Sequence, residues 1–456
     1  MTDRLQASTN IDVGAMRRRV IDVMPAVREA LERLVGIPSV AFPGHPPEPL
    51  QQAVQTVAEL FRAAGMPEVR FLDVPPDPPA VYAARPAVAA APTVLLYAHY
   101  DVQPASHEEG WESPPYVPEV RAGRLYGRGS ADDKAGIAAH LGALLALGPD
   151  CPAGVKLLID GAEETGSSGL EAYISAHPDL VAADAFIVCD MDNVSPGEPT
   201  LTISLRGIAV VDVTIETLVG PVHSGSYGGA APDALLTMIR LLATLHDDCG
   251  RPAVEGLATL PYEGTSRTED QFRVDAGVLP GVDLMGDGPL ERRVMTGPAL
   301  NVIGMEVPEI ESATNAMIAR ARARISVRVA PTQDSAEAAA MVAHHLEARL
   351  PWHVRATIAP RPIGDGCLSE VGGRGHRLAR WALKEAYGRP VTETGEGGSI
   401  PLVAAFHAAA PKADLVLLGA ADRTSQAHGS NESVDLRDVE HCTLAETLFV
   451  AGLAAG

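Results

Sequence analysis

Two hydrophobic periods alternate along the chain. Between residues 17 and 34 the apolar positions Val20, Val23, Met24, Val27, Leu31 and Leu34 recur at helical spacing, and Gly36-Ile37-Pro38 ends the run. A second helix is expected at about residues 50–65, and residues 1–15 read as a loose tail. Short apolar runs then predict strands at 69–72, 81–84 and 93–97, the last two separated by a Pro/Ala-rich turn. An apolar helix at 137–147 and strands at 155–159 and 185–188 follow. After Arg206-Gly207 the pattern changes. Residues 209–215 and 320–329 alternate apolar with polar, as half-buried strands do, and helices are expected after them at 232–246 and 335–350. Residues 247–300 are irregular and rich in Gly, Pro and charge. The alternation of apolar helices and strands resumes with a helix at 375–387, an apolar strand at 415–418 and a final helix at about 434–451. The pattern predicts an α/β protein in which residues 209–369 form a second domain, inserted between 1–208 and 370–456.

Composition narrows the classes. Of 456 residues, 46% are hydrophobic and 21% charged, the balance of a packed globular chain rather than a disordered one. The formal net charge of -22 repels nucleic-acid phosphates and anionic lipid, so neither nucleic acid nor membrane is expected as a partner. No stretch approaches the ~20 apolar residues of a membrane-spanning helix. The five cysteines, at 151, 189, 249, 367 and 442, form no CxxC pair, and the opening MTDRLQASTNID lacks a basic and apolar leader. A cytoplasmic protein with reduced thiols is the expectation.

The candidate chemistry gathers where apolar runs stop. The strand at 93–97 continues into Ala98-His99-Tyr100-Asp101. Residues two apart in extended chain share a face, so either His99 and Asp101 address one point or Asp101 orients His99. Residues 127–136, Gly-Arg-Gly-Ser-Ala-Asp-Asp-Lys-Ala-Gly, place Asp132 and Asp133 in a glycine-flanked loop before a helix. Such a pair either caps the helix or, held near the interior, calls for a cation. The strand at 155–159 runs into Asp160-Gly161-Ala162-Glu163-Glu164. Neighbouring side chains of an extended segment diverge, so one glutamate is expected to bind a cation and the other to handle a proton. The strand at 185–188 ends at Cys189-Asp190; Asp192 is a second candidate there, and Asp190 is preferred because it comes first. His428 sits in a loop after the strand at 415–418. Ligand sites collect at the carboxyl ends of strands in such sheets.

His99, Asp132, Glu164, Asp190 and His428 make a nitrogen and oxygen donor set suited to Zn2+ and acceptable to Mn2+ or Co2+. With one bridging carboxylate and two private donors on each side, the set serves two ions that share a water. Glu163 is then free to take that water's proton. No G-x-S-x-G elbow, Walker A loop, HExxH helix or dinucleotide fingerprint is present, which argues against a serine hydrolase or a nucleotide enzyme. Cys189 reads as a small buried residue rather than a ligand, and Trp111 as a packing residue.

Seven segments carry a resemblance: LLYAHYDVQP at 95–104, GRLYGRGSADDKAG at 123–136, DGAEETGSSG at 160–169, SLRG at 204–207, HSGSYGG at 223–229, GGSIP at 397–401 and HGSNE at 428–432. In this order they resemble the M20 family of metallopeptidases, in its dipeptidase and cytosolic non-specific dipeptidase (carnosinase-like) branch, from about residue 17 to the last helix. The resemblance implies a zinc-peptidase-like catalytic domain with a central mixed sheet, plus an inserted, smaller α+β lid and dimerisation domain. It implies two divalent ions per subunit, Zn2+ foremost, bridged by Asp132, with His99 and Asp190 on one and Glu164 and His428 on the other. Glu163 is the implied general base and Asp101 the carboxylate that orients His99. His223 is implied to reach the partner subunit's site in a homodimer formed through the inserted domain. Arg328, and Ser399 with Gly398 in the Gly-Gly-Ser turn, are implied substrate contacts. The expected reaction is hydrolysis of the amide bond of dipeptides or similar short peptides by a metal-bridging water. The runner-up is an N-acyl-amino-acid deacylase of the acetylornithine or succinyl-diaminopimelate type. Such enzymes tend to have a shorter second domain, so the long 247–300 segment favours dipeptides.

Overall fold

The computed structural model of the chain describes residues 11–106, 110–262, 264–398 and 400–455. Ser204–Leu368 and Gly395–Pro401 make one compact unit, and the remainder makes the other.

The larger unit is built on a mixed sheet. Its strand order is Glu68–Leu72, Ala80–Arg85, Gly154–Asp160, Thr93–His99, Ala185–Val188, Asp414–Leu417 and Thr200–Leu205. The four strands from Gly154–Asp160 to Asp414–Leu417 run parallel, and the flanking pairings are antiparallel. Parallel strands are covered on both faces, which is why residues 94–98 read as one apolar run; none of them is more than 1% exposed. Register sets His99 beside Asp160 and Tyr97 beside Val188, so neighbouring strands stop almost level. Their polar continuations emerge together at the carboxyl edge.

Three helices, Val13–Val35, Lys134–Leu147 and Leu436–Ala455, pack with this sheet into one core. Lys134–Leu147 is apolar around almost its whole circumference and is buried at every position but Leu145. A Cβ at Gly142 would stand 2.6 Å from Thr443 Cγ2 and 2.9 Å from Val27 Cγ2, so glycine lets the three helices close. The first helix begins at Val13, with Asp12 accepting from Ala15 N, so residues 13–15 of the expected tail are helical, while residues 1–10 lie outside the described residues. The last helix begins at Leu436 rather than 434, because Ser433–Asp435 pairs with Arg124–Tyr126 as a strand. Glu163 and Glu164 lie in a 3-10 turn, Glu163–Thr165, and not in extended chain.

The smaller unit has a four-stranded antiparallel sheet, ordered Ala299–Glu306, Arg320–Val329, Gly207–Glu216 and Arg355–Gly364. Its inward residues, among them Val211, Val213, Ile325 and Val327, share a core with Met238 and Val342 of two helices, Ala234–Leu242 and Ser335–Ala348. The stretch expected to be irregular at 247–300 holds a helix, Glu269–Asp275, started by a Thr268–Gln271 capping box. Gly395–Pro401 belongs to this unit instead of to the expected 370–456 segment. Arg206 secures it, donating Nε to Gly397 O at 3.0 Å and Nη1 to Gly297 O at 3.2 Å. No helix among the described residues is long and apolar enough to cross a membrane.

Candidate metal centre

His99 ends the central strand and is fully buried. Its Nδ1 lies 3.1 Å from Asp101 O and 3.3 Å from Asp101 Oδ1. A carbonyl only accepts, so Nδ1 carries the hydrogen and Nε2 is turned to the cluster. Nε2 is 2.9 Å from Asp132 Oδ1 and 3.9 Å from Asp190 Oδ1. The other oxygen of Asp132, Oδ2, is 2.9 Å from His428 Nε2, which is 3.2 Å from Glu164 Oε2. One carboxylate thus addresses two histidines. Around it stand two groups, His99–Asp132–Asp190 and Asp132–Glu164–His428, each with its donor atoms within 4.8 Å of one another.

The charges are unbalanced. Burial pushes the Asp132 carboxyl up, but hydrogen bonds with His428 and His99 outweigh it and hold the group below the usual carboxylate range. Hydrogen bonds with Asp132 and Glu164 raise His428 to about 10. Desolvation opposes charge on His99, yet Asp101 and Asp132 overcome it and its affinity for a proton is raised. Burial raises the Asp190 carboxyl, with Asp133 adding to it, and burial likewise raises Glu163, where Asp190 and Glu164 add. Carboxyls driven toward neutrality beside imidazoles driven toward charge mark a site short of positive charge. A divalent cation would supply it. Donors about 2.1 Å from a tetrahedral ion stand about 3.4 Å apart. The separations here, 2.9, 3.2 and 3.9 Å, bracket that value, so the donor set fits such ions.

Surrounding groups hold these side chains in place. Asp101 accepts from Glu163 N at 3.1 Å and Glu164 N at 3.2 Å, so the carboxylate beside His99 also fixes the glutamate turn. Glu164 accepts from Gln103 N at 3.1 Å and Gln103 Nε2 at 2.6 Å. Asp160 accepts from Gly161 N, Ala162 N and Ser167 Oγ, pinning the start of that turn. Asp133 caps the Lys134–Leu147 helix through Gly136 N at 3.1 Å and accepts from His99 N at 3.3 Å. The helix-cap reading therefore describes the second aspartate of the pair, and the peptide joining the two is cis. A Cβ on Gly136 would lie 2.4 Å from Asp133 Oδ1 and 2.5 Å from Cys189 O, so glycine allows this close approach.

Two supporting residues carry no role in the sequence pattern. Glu432, fully buried, accepts from Arg128 Nη1 at 2.7 Å and from the amides of Gly129, Ala131 and Asp132 at 3.0, 2.9 and 3.1 Å. The loop that supplies His428 therefore also shapes the Asp132 loop. Lys134 Nζ donates to Leu34 O at 2.9 Å and Ile37 O at 2.8 Å, and desolvation lowers it to about 7. Both sit inside the seven motif segments, whose unassigned charges were the available signal. Asp192 pairs instead with Ala421 in a short ribbon. His223, Arg328 and Gly398 belong to the smaller unit, and Ser399 lies outside the described residues. His223 is exposed, and its Nδ1 accepts from Gly225 N.

Two groups of donors able to hold cations, at the carboxyl edge of a mixed α/β sheet, fit a metal-dependent enzyme. Residues 95–451 match the profile of Peptidase family M20/M25/M40. The chain is 36% identical, over 98% of its length and 98% of the relative's, to cysteinylglycine-S-conjugate dipeptidase of Corynebacterium striatum. It is 29% identical, over 89% of its length and 91% of the relative's, to Cys-Gly metallodipeptidase dug1 of Schizosaccharomyces pombe. The solved structure of the di-peptidase Dug1p from Saccharomyces cerevisiae shares the fold, with a TM-score of 0.86 at 22% identity, over 98% of this chain and 99% of that one. The protein belongs to the M20 family of metallopeptidases.

Proposed function

We propose that this metallopeptidase hydrolyses the amide bond of dipeptides or similar short peptides with two divalent cations per chain. The observation that carries the reading is Asp132, whose two oxygens each lie 2.9 Å from a different histidine. His99 and Asp190 complete one cation's donors, and Glu164 and His428 the other's. Zn2+ suits these nitrogen and oxygen donors best, with Mn2+ and Co2+ acceptable. When bound, such ions acidify a water and polarise the scissile carbonyl. Glu163, on the turn anchored by Asp101 but outside both donor groups, takes the water's proton and returns it to the leaving amine. The dipeptide substrate rests on the named activities of the relatives.

The same reading makes the protein a homodimer through its smaller unit. The edge strand Ala299–Glu306 supports this: Val302, Ile303 and Met305 are exposed, and no proline or lysine guards it. The opposite edge, Arg355–Gly364, carries Pro360, Pro362, Arg355 and Arg361. An unguarded apolar edge is what a second copy would cover. His223 would then serve the partner's centre, and Arg328, Gly398 and Ser399 the substrate. Five free cysteines agree with a cytoplasmic setting.

The test is a hydrolysis screen of protein loaded with each ion, against Cys-Gly and other dipeptides, longer peptides and N-acyl amino acids, with and without chelator. Dipeptide cleavage that chelator stops and added ion restores is the expected result. Cleavage confined to N-acyl amino acids would replace the dipeptidase reading with the deacylase one. Cleavage of nothing would overturn both.

A further inference from the structure

Cys189, one residue before Asp190, joins a different cluster. Its Sγ lies 3.4 Å from Cys442 Sγ on the last helix. With Glu446, one turn further along that helix, the two cysteines form a third group whose donor atoms lie within 4.8 Å of one another, all three buried. Glu446 Oε2 is 2.9 Å from His140 Nδ1, and His140 Nε2 is 2.9 Å from Tyr97 O. The carbonyl only accepts, so Nε2 carries a hydrogen, and the contact at Nδ1 needs one proton shared with Glu446. The other carboxylate oxygen, Glu446 Oε1, is buried with no hydrogen-bond partner among the described residues. A carboxylate oxygen left bare in an interior is unfavourable unless something positive or a donor meets it.

We propose that Cys189, Cys442 and Glu446 bind one thiophilic divalent cation of the Zn2+ class, at a site separate from the histidine–carboxylate centre. Paired sulfurs select soft or borderline ions. At metal–sulfur distances near 2.3 Å, a tetrahedral ion holds two sulfurs about 3.8 Å apart, so the pair need open by only about 0.4 Å. Binding releases one proton from each thiol, since a coordinating thiol is deprotonated. Two thiolates then balance the ion's two charges, and the shared proton keeps the Glu446–His140 pair neutral. The cluster is uncharged overall, which an interior requires. Glu446 Oε1 supplies the third ligand and loses its orphan state, while His140 holds Oε2 and so orients the carboxylate. The ion would bolt the Leu436–Ala455 helix to the strand end that carries Asp190. Through His140 it also engages the Lys134–Leu147 helix.

The histidine–carboxylate centre offers no sulfur, so thiolate-to-metal absorption reports on the cysteine cluster whatever the substrate proves to be. Cys151, Cys249 and Cys367 belong to no donor group among the described residues. The full chain would be produced in medium supplemented with Co2+ or Cd2+, because a buried ion enters during folding. Absorption and metal content would then be measured before and after chelator. The expected result is a sulfur–metal charge-transfer band and one ion per chain that outlasts the chelator. Cys442→Ala and Cys189→Ala should each abolish the band and remove that one equivalent, and Glu446→Gln should make the ion removable. The wild-type chain alone decides the matter if a variant fails to fold. No band and no chelator-resistant ion in wild type would overturn the proposal. So would a band that survives Cys442→Ala, or a chain whose Cys189 and Cys442 are isolated as a disulfide without an ion.

Discussion

Cys189 and Asp190 are neighbours in the chain, yet they serve clusters of opposite character. Asp190 stands with His99 and Asp132 in one of two donor groups joined through Asp132, and the other group ends at His428, whose side chain is 56% exposed. Cys189 stands with a thiol and a carboxylate from which solvent is excluded. On the proposed reading, the open side is where ions, water and substrate would exchange. The closed group can exchange none of these without unfolding around it, so its contribution is to the framework. On the two proposals, one strand end would feed both the chemistry and the structure that holds it, and perturbing each side should give a different signature.

The largest separation comes from the open side. Glu163→Gln should lower kcat by roughly 10²–10⁴-fold, the usual share of a positioned proton-transfer group, with ion content unchanged. Turnover and metal analysis on one sample check this; lost ions would make Glu163 a ligand, and full activity would remove it from the reaction. Next comes Glu432→Ala, which strips buried Arg128 of its carboxylate partner and frees three amides of the Asp132 loop. Breaking a buried pair from one side costs about 3–5 kcal/mol, readable as a lowered denaturation midpoint. Asp101→Asn should weaken ion affinity by about 10–100-fold, measured by competition with a chelating dye, because it loosens both His99 and the glutamate turn.

Acidity should sharpen the contrast further. His428, raised to about 10, and His99, also raised, hold protons at neutral pH in the ion-free centre. Ions must displace those protons, so affinity falls as pH drops, by about tenfold per unit for each proton released. Titration calorimetry in buffers of different ionisation enthalpy counts them. The smallest effect is expected from the closed side. Cys442→Ala should leave dipeptide turnover within about twofold while lowering the denaturation midpoint, because the ion that ties the last helix to the sheet is lost with the thiol. A collapse of turnover in a folded variant would join the two clusters functionally.

Much of the arrangement is legible in the sequence because it follows strand ends. His99, Asp190 and the glutamate turn come straight after apolar runs, and parallel strands that stop level bring such continuations together. What stays hidden depends on partners far along the chain. Glu432 looks like one more charge in a polar loop, and only the fold sets it against amides some 300 residues before it. Lys134 resembles an exposed helix start, yet its ammonium meets the carbonyl end of the first helix. Glu163 and Glu164 differ in surroundings through a 3-10 turn, not through the alternation of a strand. Residues 395–401 follow directly on residues 369–394 of the larger unit, but they belong to the smaller one, where the guanidinium of Arg206 donates to Gly397 O. Cys442 and Glu446 share a helix face with ordinary core residues, so their pairing with Cys189 has no sequence signal.

That one carboxylate serves two cations is the central claim. Paramagnetic resonance of the protein loaded with Mn2+ tests it most directly, since ions about 3.5–4 Å apart across a shared carboxylate and water couple magnetically. The expected result is an exchange-coupled spectrum from the filled centre in wild type, and its loss in Asp132→Ala. A fully loaded wild-type protein showing only the spectrum of isolated ions, or a coupled spectrum that persists in Asp132→Ala, would contradict it.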